Sequence, residues 1–348
     1  MKMLTKEDIK NLVMGGCILG GGGGGSMELG LEFGYQAIET AEINLIDISE
    51  LEDEDTVVCA SMVGAPSAIE SFVSKSDYEY SIKKMEKELD EEIKGIFTNE
   101  NGGGSSINGF MQSALTGIPL VDAPANGRAH PTGIMGSLNL HKNSDYLSTQ
   151  IYSGGNPDIG NNVRGVVSGN LNSCSKVIRN ASVVAGGMVV VVRNPVNVSY
   201  LKNNGAVGAW SFAINLGKAY YEALDNKECP IEKVTNFLNG EIVTSGNVSK
   251  YELLSEGGFD IGNIYVEDCE LTFWNEYMTL DKNKRIYTFP DLIMTFDNKT
   301  KLPITTAEIK EGMEITVIAS NKDNIPLGSP MFDKELLKEV SEIIKKEI

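Results

Sequence analysis

The segment Asp122-Ala123-Pro124-Ala125-Asn126-Gly127-Arg128-Ala129-His130-Pro131-Thr132-Gly133 gathers an acid, an amide, a guanidinium and an imidazole in one short stretch. These groups can serve as a general base, a hydrogen-bonding clamp, a carboxylate-binding fork and a proton shuttle. The chain has 2 histidines, His130 and the nearby His141. So rare a residue next to Arg128 and Asp122 points to His130 as functional, whereas His141 by itself reads as structural. Upstream, Asn99-Glu100-Asn101-Gly102-Gly103-Gly104-Ser105-Ser106 sets a carboxyl and two amides before a glycine cluster. The catalytic candidates are therefore Asp122, His130, Glu100 and Arg128, with Asn101, Gly103 and Asn126 as substrate contacts. No HExxH or CxxC spacing fixes a metal site or any other cofactor. Hydrolytic metal centres also assemble from separate strand ends, so a divalent metal such as zinc is the one candidate cofactor, held by Asp122 and His130.

Another signal is the unbroken run Gly20-Gly21-Gly22-Gly23-Gly24-Gly25, followed by Ser26. Consecutive glycines cost entropy to order, so their retention implies close approach of backbone to something. With Ser26 capping a helix over 27–40, the N–H groups of Gly21, Gly22, Gly23 and Gly24 are expected to form an anion or oxyanion site. The competing reading is a flexible linker. A Walker-type phosphate loop is not expected, because no Lys-Ser/Thr pair follows the glycines.

The elements that must carry these loops follow a repeated pattern of apolar run, glycine-bearing loop and helix. Thr56 to Met62 leads into Gly64-Ala65-Pro66, Gly95 to Asn99 into the second glycine cluster, and Ile118 to Val121 into Asp122. This pattern predicts parallel α/β structure, with ligand-binding loops, Gly64 and Ala65 among them, beyond the carboxyl ends of the strands. Ile82, Met85, Leu89 and Ile93, spaced three and four apart, predict a surface helix over 78–94. A helix is also expected from Thr5, with Glu7 and Asp8 in its first turn, and others over 206–224 and 335–348. From about residue 170 the texture changes: 177–192 is valine-rich, and 251–297 alternates short apolar runs with turns, as antiparallel strands do. The expected fold is an α/β N-terminal domain with a largely parallel sheet over 1–170, and a β-rich domain with a few helices over 171–348. In the latter, Thr272-Phe273-Trp274-Asn275-Glu276-Tyr277 adds Asn275 and Glu276 as further candidate substrate contacts. Strand alternation would put Trp274 and Glu276 on the face opposite Phe273, Asn275 and Tyr277.

The composition narrows the partners. At 30 basic against 48 acidic residues the formal charge is −18, which disfavours nucleic acid and anionic membrane surfaces. The apolar stretch 181–192 is shorter than the roughly 20 residues that cross a bilayer, and the first residues carry acids where a secretory signal is cationic. The 5 cysteines are scattered, as reduced structural thiols would be. A cytoplasmic enzyme acting on a small molecule, assembled as a homo-oligomer, is the expectation.

Taken in order, LGGGGGGS, MVGAP, NENGGG, VDAPANGRAHP, GAVGAWSFAINLGKA, WNEY, PDLI and EGMEITVIA resemble the S-methyl thiohydantoin desulfurase family, which is associated with hydantoin-utilisation enzymes. Many members carry Asp-Ala-Asp-Gly-Met-Gly-Arg-Ala where this chain keeps Asp122, Gly127, Arg128 and Ala129 but replaces one acid by Pro124. The resemblance implies two domains and hydrolytic removal of sulfur from a thiohydantoin or its S-methyl ether, giving a hydantoin and sulfide or thiol. On that basis Asp122 or Glu100 would activate water, His130 would protonate the departing sulfur, and Asp122→Asn would abolish turnover without unfolding the chain. The alternatives are a hydantoin-type cyclic amide hydrolase and a metabolite-binding module without chemistry.

Overall fold

The computed structural model describes residues 1–64, 68–256 and 259–348. The described residues form two sheets. In the first, β2 (Asn44–Ile46), β5 (Leu120–Val121), β4 (Gly95–Thr98) and β3 (Thr56–Gly64) make a parallel core in that order. Antiparallel strands extend both edges: β1 (Lys2–Met3) pairs with β2, and β8 (Met188–Asn197), β6 (Ser148–Gly154) and β7 (Val163–Gly169) continue beyond β3. The sheet is thus mixed, with the parallel strands at its centre.

The helices follow from local signals. Thr5 and Asp8 form a reciprocal capping box that starts α1 (Lys6–Leu19), and the Ser26 hydroxyl accepts the Leu29 N–H to start α2 (Met27–Thr40). Ser74 and Asp77 do the same for α3 (Lys75–Leu89), which ends at Asp90 in the left-handed conformation, φ 55°. The short α4 (Phe110–Thr116) follows the second glycine cluster. Residues 177–192 divide between α5 (Leu171–Val184) and β8, because Gly186 and Gly187 at φ 79° and 135° turn the chain back. Since β8 hydrogen-bonds to β3, the first sheet takes a strand from beyond residue 170. Next come α6 (Val198–Asn204), α7 (Ala209–Asp225) and α8 (Pro230–Phe237).

The second sheet is antiparallel, in the order β13 (Lys284–Thr288), β12 (Glu276–Lys282), β11 (Cys269–Trp274), β10 (Phe259–Val266), β9 (Glu241–Glu256), β16 (Glu314–Ser320), β14 (Leu292–Asp297) and β15 (Pro303–Ile304). Strand β9 serves both halves of this sheet: 248–256 pairs with β10, and 241–247 with β16. The chain ends in α9 (Lys334–Ile344).

One buried cluster joins the two sheets. It runs from Val58, Ala60 and Ile96 of the first sheet through Ile9, Leu12, Trp210 and Leu216 of α1 and α7 to Leu292, Met294, Phe296 and Ile318 of the second. Helices α1 and α7 approach closely because Gly15 faces the Ala213 carbonyl and Gly217 the Asn11 carbonyl, positions that a Cβ would overlap.

Candidate active site

The loops after β4 and β5 run side by side. Ala125 N–H donates to the Thr98 carbonyl at 2.8 Å and Asn126 N–H to the Asn99 carbonyl at 3.1 Å. That pairing carries Glu100 to His130, whose N–H donates to Glu100 Oε2 at 3.3 Å. His130 Nε2 also lies 3.2 Å from Oε2. The approach is misaligned, however, and neither ring nitrogen of His130 has a hydrogen-bond partner among the described residues. Gly136 leaves room for the ring, with a Cβ there 3.1 Å from Cε1 and Nε2. Burial pushes the imidazole below its ordinary value, with the negative charge of Glu100 acting in the opposite direction.

Arg128 is fully buried. Its Nη1 donates to the carbonyls of Pro290 and Asp291, and its guanidinium lies 4.8 Å from the Phe289 ring centre. Nε and Nη2 have no acceptor among the described residues. Burial pushes Arg128 down to about 10, opposed by the charges of Glu276, Asp291 and Glu100, which leaves it cationic at neutral pH.

The second sheet contributes Glu276, at the start of β12, 3% exposed. Burial raises its carboxyl well above the ordinary range; the charge of Glu100 adds to this, while Arg128 and the Gly24 N–H pull the other way. Its Oε2 is buried without a partner among the described residues, as is Nε1 of Trp274, its cross-strand neighbour on β11. Four ionisable groups from two loops and a strand thus lie buried within reach of one another's charges, with several polar atoms left unpaired among the described residues. Such atoms cost about 1–3 kcal/mol each when nothing meets them.

The glycine run reaches this place with its bonding the reverse of the expected N–H site. It follows helix α1, and its carbonyls do the bonding: Gly21 accepts from Tyr277 N–H at 2.7 Å, Gly22 from Thr306 N–H at 2.9 Å, and Gly24 from the N–H groups of Gly104 and Ser105 at 2.9 and 3.0 Å. The N–H groups of Gly21 and Gly23 bond back to Ile18 and Gly20, and that of Gly24 faces Glu276. The run is therefore a junction knot instead of an open oxyanion cradle. A Cβ on Gly21 would overlap Arg128, and one on Gly23 would overlap Glu276.

Other candidates have structural placements. Asp122 Oδ1 accepts the N–H of Trp210 at 2.8 Å and of Ser211 at 3.2 Å, and Oδ2 that of Ser211 at 3.3 Å, so this carboxyl caps α7. Burial raises it, against those same N–H groups. With both oxygens engaged, it is a poor partner for His130 in binding a metal, and no group of three or more His, Cys, Asp or Glu among the described residues converges on an ion position. Asn101 anchors α7 through the Ala209 carbonyl, 2.9 Å, and Asn126 holds the Met135 carbonyl, 2.6 Å. Gly103 packs on Gly25 and Cys17, and Ser26 is an exposed helix cap. Asn275, at φ 55°, is the corner residue between β11 and β12 and bonds Asp260. Gly64 ends β3 against the Gly187 carbonyl; Ala65 lies outside the described residues. His141 Nε2 is 2.8 Å from Asp333 Oδ2, with Lys142 Nζ at 3.0 Å from the same oxygen, tying the loop to the cap of α9. A separate surface cleft between α2, α3 and α4, lined by Phe33, Met62, Tyr78, Ser61, Asn108 and Gln112, contains none of the four ionisable groups.

One residue of interest was missed: Arg193, buried on β8 with its Nε unpaired. The signal was present in the sequence, since a lone cation ends the run Val189-Val190-Val191-Val192.

Fold and site together define an α/β chain with a β-rich second half and an acid–base cluster at their junction. Residues 7–158 match the S-Me-THD-like N-terminal domain and residues 170–325 the S-Me-THD-like C-terminal domain. The chain belongs to the S-Me-THD-like family, which gives it a thiohydantoin-related role. Among solved structures, a protein from Chromobacterium violaceum determined by X-ray crystallography is similar in fold, with a TM-score of 0.73 and 17% identity over 99% of this chain and 97% of that one. No curated protein matches. Among the described residues, no helix is long and apolar enough to cross a membrane.

Proposed function

We propose that the chain catalyses hydrolytic desulfurisation of a thiohydantoin or S-methyl thiohydantoin, with Glu100, Arg128, His130 and Glu276 as its working groups. The observation that supports this reading is a buried cluster, with Glu100 3.2 Å from His130, in which burial favours the uncharged forms of an imidazole and a carboxyl: His130 is shifted down and Glu276 up. Opposed shifts of this kind separate acid from base roles.

In the proposed reaction, His130, with the Glu100 carboxyl beside it, takes a proton from water as the water oxygen bonds to ring carbon C2. Electrons move onto the N–C–S unit, where the free Nε and Nη2 donors of Arg128 stabilise them. As the C2–S bond breaks, Glu276 gives its proton to sulfur, releasing hydrosulfide or methanethiol, and the C2 hydroxyl passes its remaining proton to the ring nitrogen of the S-methyl ether, or to solvent from the thiohydantoin, so that C2 becomes the carbonyl of a hydantoin. Acid and base are restored when Glu276 regains the proton taken by His130. This replaces Asp122 as the water-activating group, because its oxygens are occupied by α7, and it moves the acid role from His130 to Glu276.

The test is turnover of S-methyl thiohydantoin in H2-18O. Thiol release with one labelled oxygen at C2 and an intact ring supports the proposal. Ring opening without thiol release would instead make the chain a cyclic amide hydrolase, and saturable binding without turnover would make it a binding module.

A further inference from the structure

The cleft between α2, α3 and α4 lies where α4 packs on the first sheet. Gly109, at φ 93°, lets the start of α4 settle on β3 and β4, since a Cβ there would come within 2.8 Å of the Ile96 side chain and 3.3 Å of Ala60. That close seat brings Asn108 and Gln112 into one cleft with Ser61 of β3. All three are buried, Ser61 at 1%, Asn108 at 6% and Gln112 at 2% exposure. Each carries an oxygen with no hydrogen-bond partner among the described residues: Ser61 Oγ, Asn108 Oδ1 and Gln112 Oε1. The Asn108 amide nitrogen is already spent on Asn99 Oδ1 at 3.1 Å, which fixes that side chain. Phe33, Met62, Val73 and Met111 give the cleft apolar walls. Among the described lining residues, Lys75 alone is charged, and it is exposed.

A buried polar atom left unpaired is costly, and an amide oxygen can only accept, whereas a hydroxyl can also donate. Two acceptors, one hydroxyl and no buried charge complement a group that sets an N–H beside a carbonyl; the apolar walls complement its hydrocarbon part. We propose that this cleft is a binding site for a small neutral carboxamide or cyclic imide, whose N–H donates to the Asn108 or Gln112 oxygen and whose carbonyl accepts from Ser61. The cleft volume of about 90 Å³ equals roughly six to nine water-sized units, which limits the ligand to a single small ring. The inference stands apart from the proposed desulfurisation, because Glu100, Arg128, His130 and Glu276 do not line this cleft.

The probe is succinimide, titrated calorimetrically into the full chain, where a Kd on the order of 1 mM is expected. Gln112→Leu and Ser61→Ala should each weaken binding by about 5- to 10-fold, while His130→Gln should leave it unchanged. Propionate, of similar size but anionic, should bind at least about 10-fold more weakly than succinimide, because its charge has no buried partner. Should the cleft variants fail to fold, carbon-13 methyl spectra of the methionines in the wild-type chain decide: succinimide is expected to shift Met62 and Met111 and not Met278, which shares β12 with Glu276. An affinity insensitive to both cleft substitutions, a shift at Met278 alone, propionate binding as tight as that of succinimide, or no saturable binding would overturn the proposal.

Discussion

The loop that begins at Asp122 and the loop end at Arg128 and His130 belong to one segment, yet their polar groups have opposite fates. At its start, the Asp122 carboxyl takes N–H groups from Trp210 and Ser211, and the backbone there is tied to Ile46 and Gly208. At its end, Nε and Nη2 of Arg128 and both ring nitrogens of His130 are buried with no partner among the described residues. Both ends look equally reactive in the sequence. What separates them is saturation: a carboxyl filled by helix N–H groups holds the fold, while an imidazole and a guanidinium left open in a buried place await something to bind. The same contrast holds between the two histidines, since His141 is clamped by Asp333.

Breaking the open end should have the largest effect. His130→Gln is expected to lower kcat by about 10²- to 10⁴-fold while leaving the melting temperature within a few degrees of wild type. Glu276→Gln, which keeps shape but has no proton to give, should cost on the order of 10²-fold and alter the pH profile. The signs follow from the shifts. His130 works when neutral, so activity falls as pH drops through its lowered value, below the ordinary 6.5; Glu276 works when protonated, so activity falls as pH rises through its raised value. His130→Gln should remove the acid limb, and Glu276→Gln the alkaline limb.

Gly23→Ala sharpens the comparison from the junction side. Its Cβ would displace Glu276, so a stability loss of about 1–3 kcal/mol in denaturant unfolding should accompany reduced kcat. Breaking the saturated end should behave differently. Asp122→Asn is expected to destabilise the chain by about 1–3 kcal/mol, read as a lower melting temperature, with kcat of the folded fraction largely retained. That is the reverse of what the loop suggests as a sequence. The smallest effect belongs to Asp333→Asn, which loosens α9 from His141 and Lys142 by up to about 1 kcal/mol and leaves kcat unchanged.

Much of the scaffold was legible because its signals are local. Thr5 and Ser26 start helices where capping chemistry requires, and the glycine-ended apolar runs at 56–62 and 95–99 became parallel strands. The families of loops could be named for the same reason. Their roles could not, because saturation depends on partners far along the chain: Asp122 is satisfied by residues of α7, and Gly21 by Tyr277. The glycine run implied a close approach, but not that the approaching groups would be Arg128 and Glu276 of the chain itself. Splitting 177–192 into helix and strand depended on Gly186 and Gly187, whose turn lies inside a run that reads as continuously apolar. Residues such as Arg193 were overlooked because a valine-rich strand was read for packing alone.

The most direct test is the pH dependence of thiol release from S-methyl thiohydantoin, compared for wild type, His130→Gln and Glu276→Gln. A bell-shaped wild-type profile that loses its acid limb in the first variant and its alkaline limb in the second is the predicted result. Thiol release that survives both substitutions with an unchanged profile would contradict the assignment of the chemistry to this cluster.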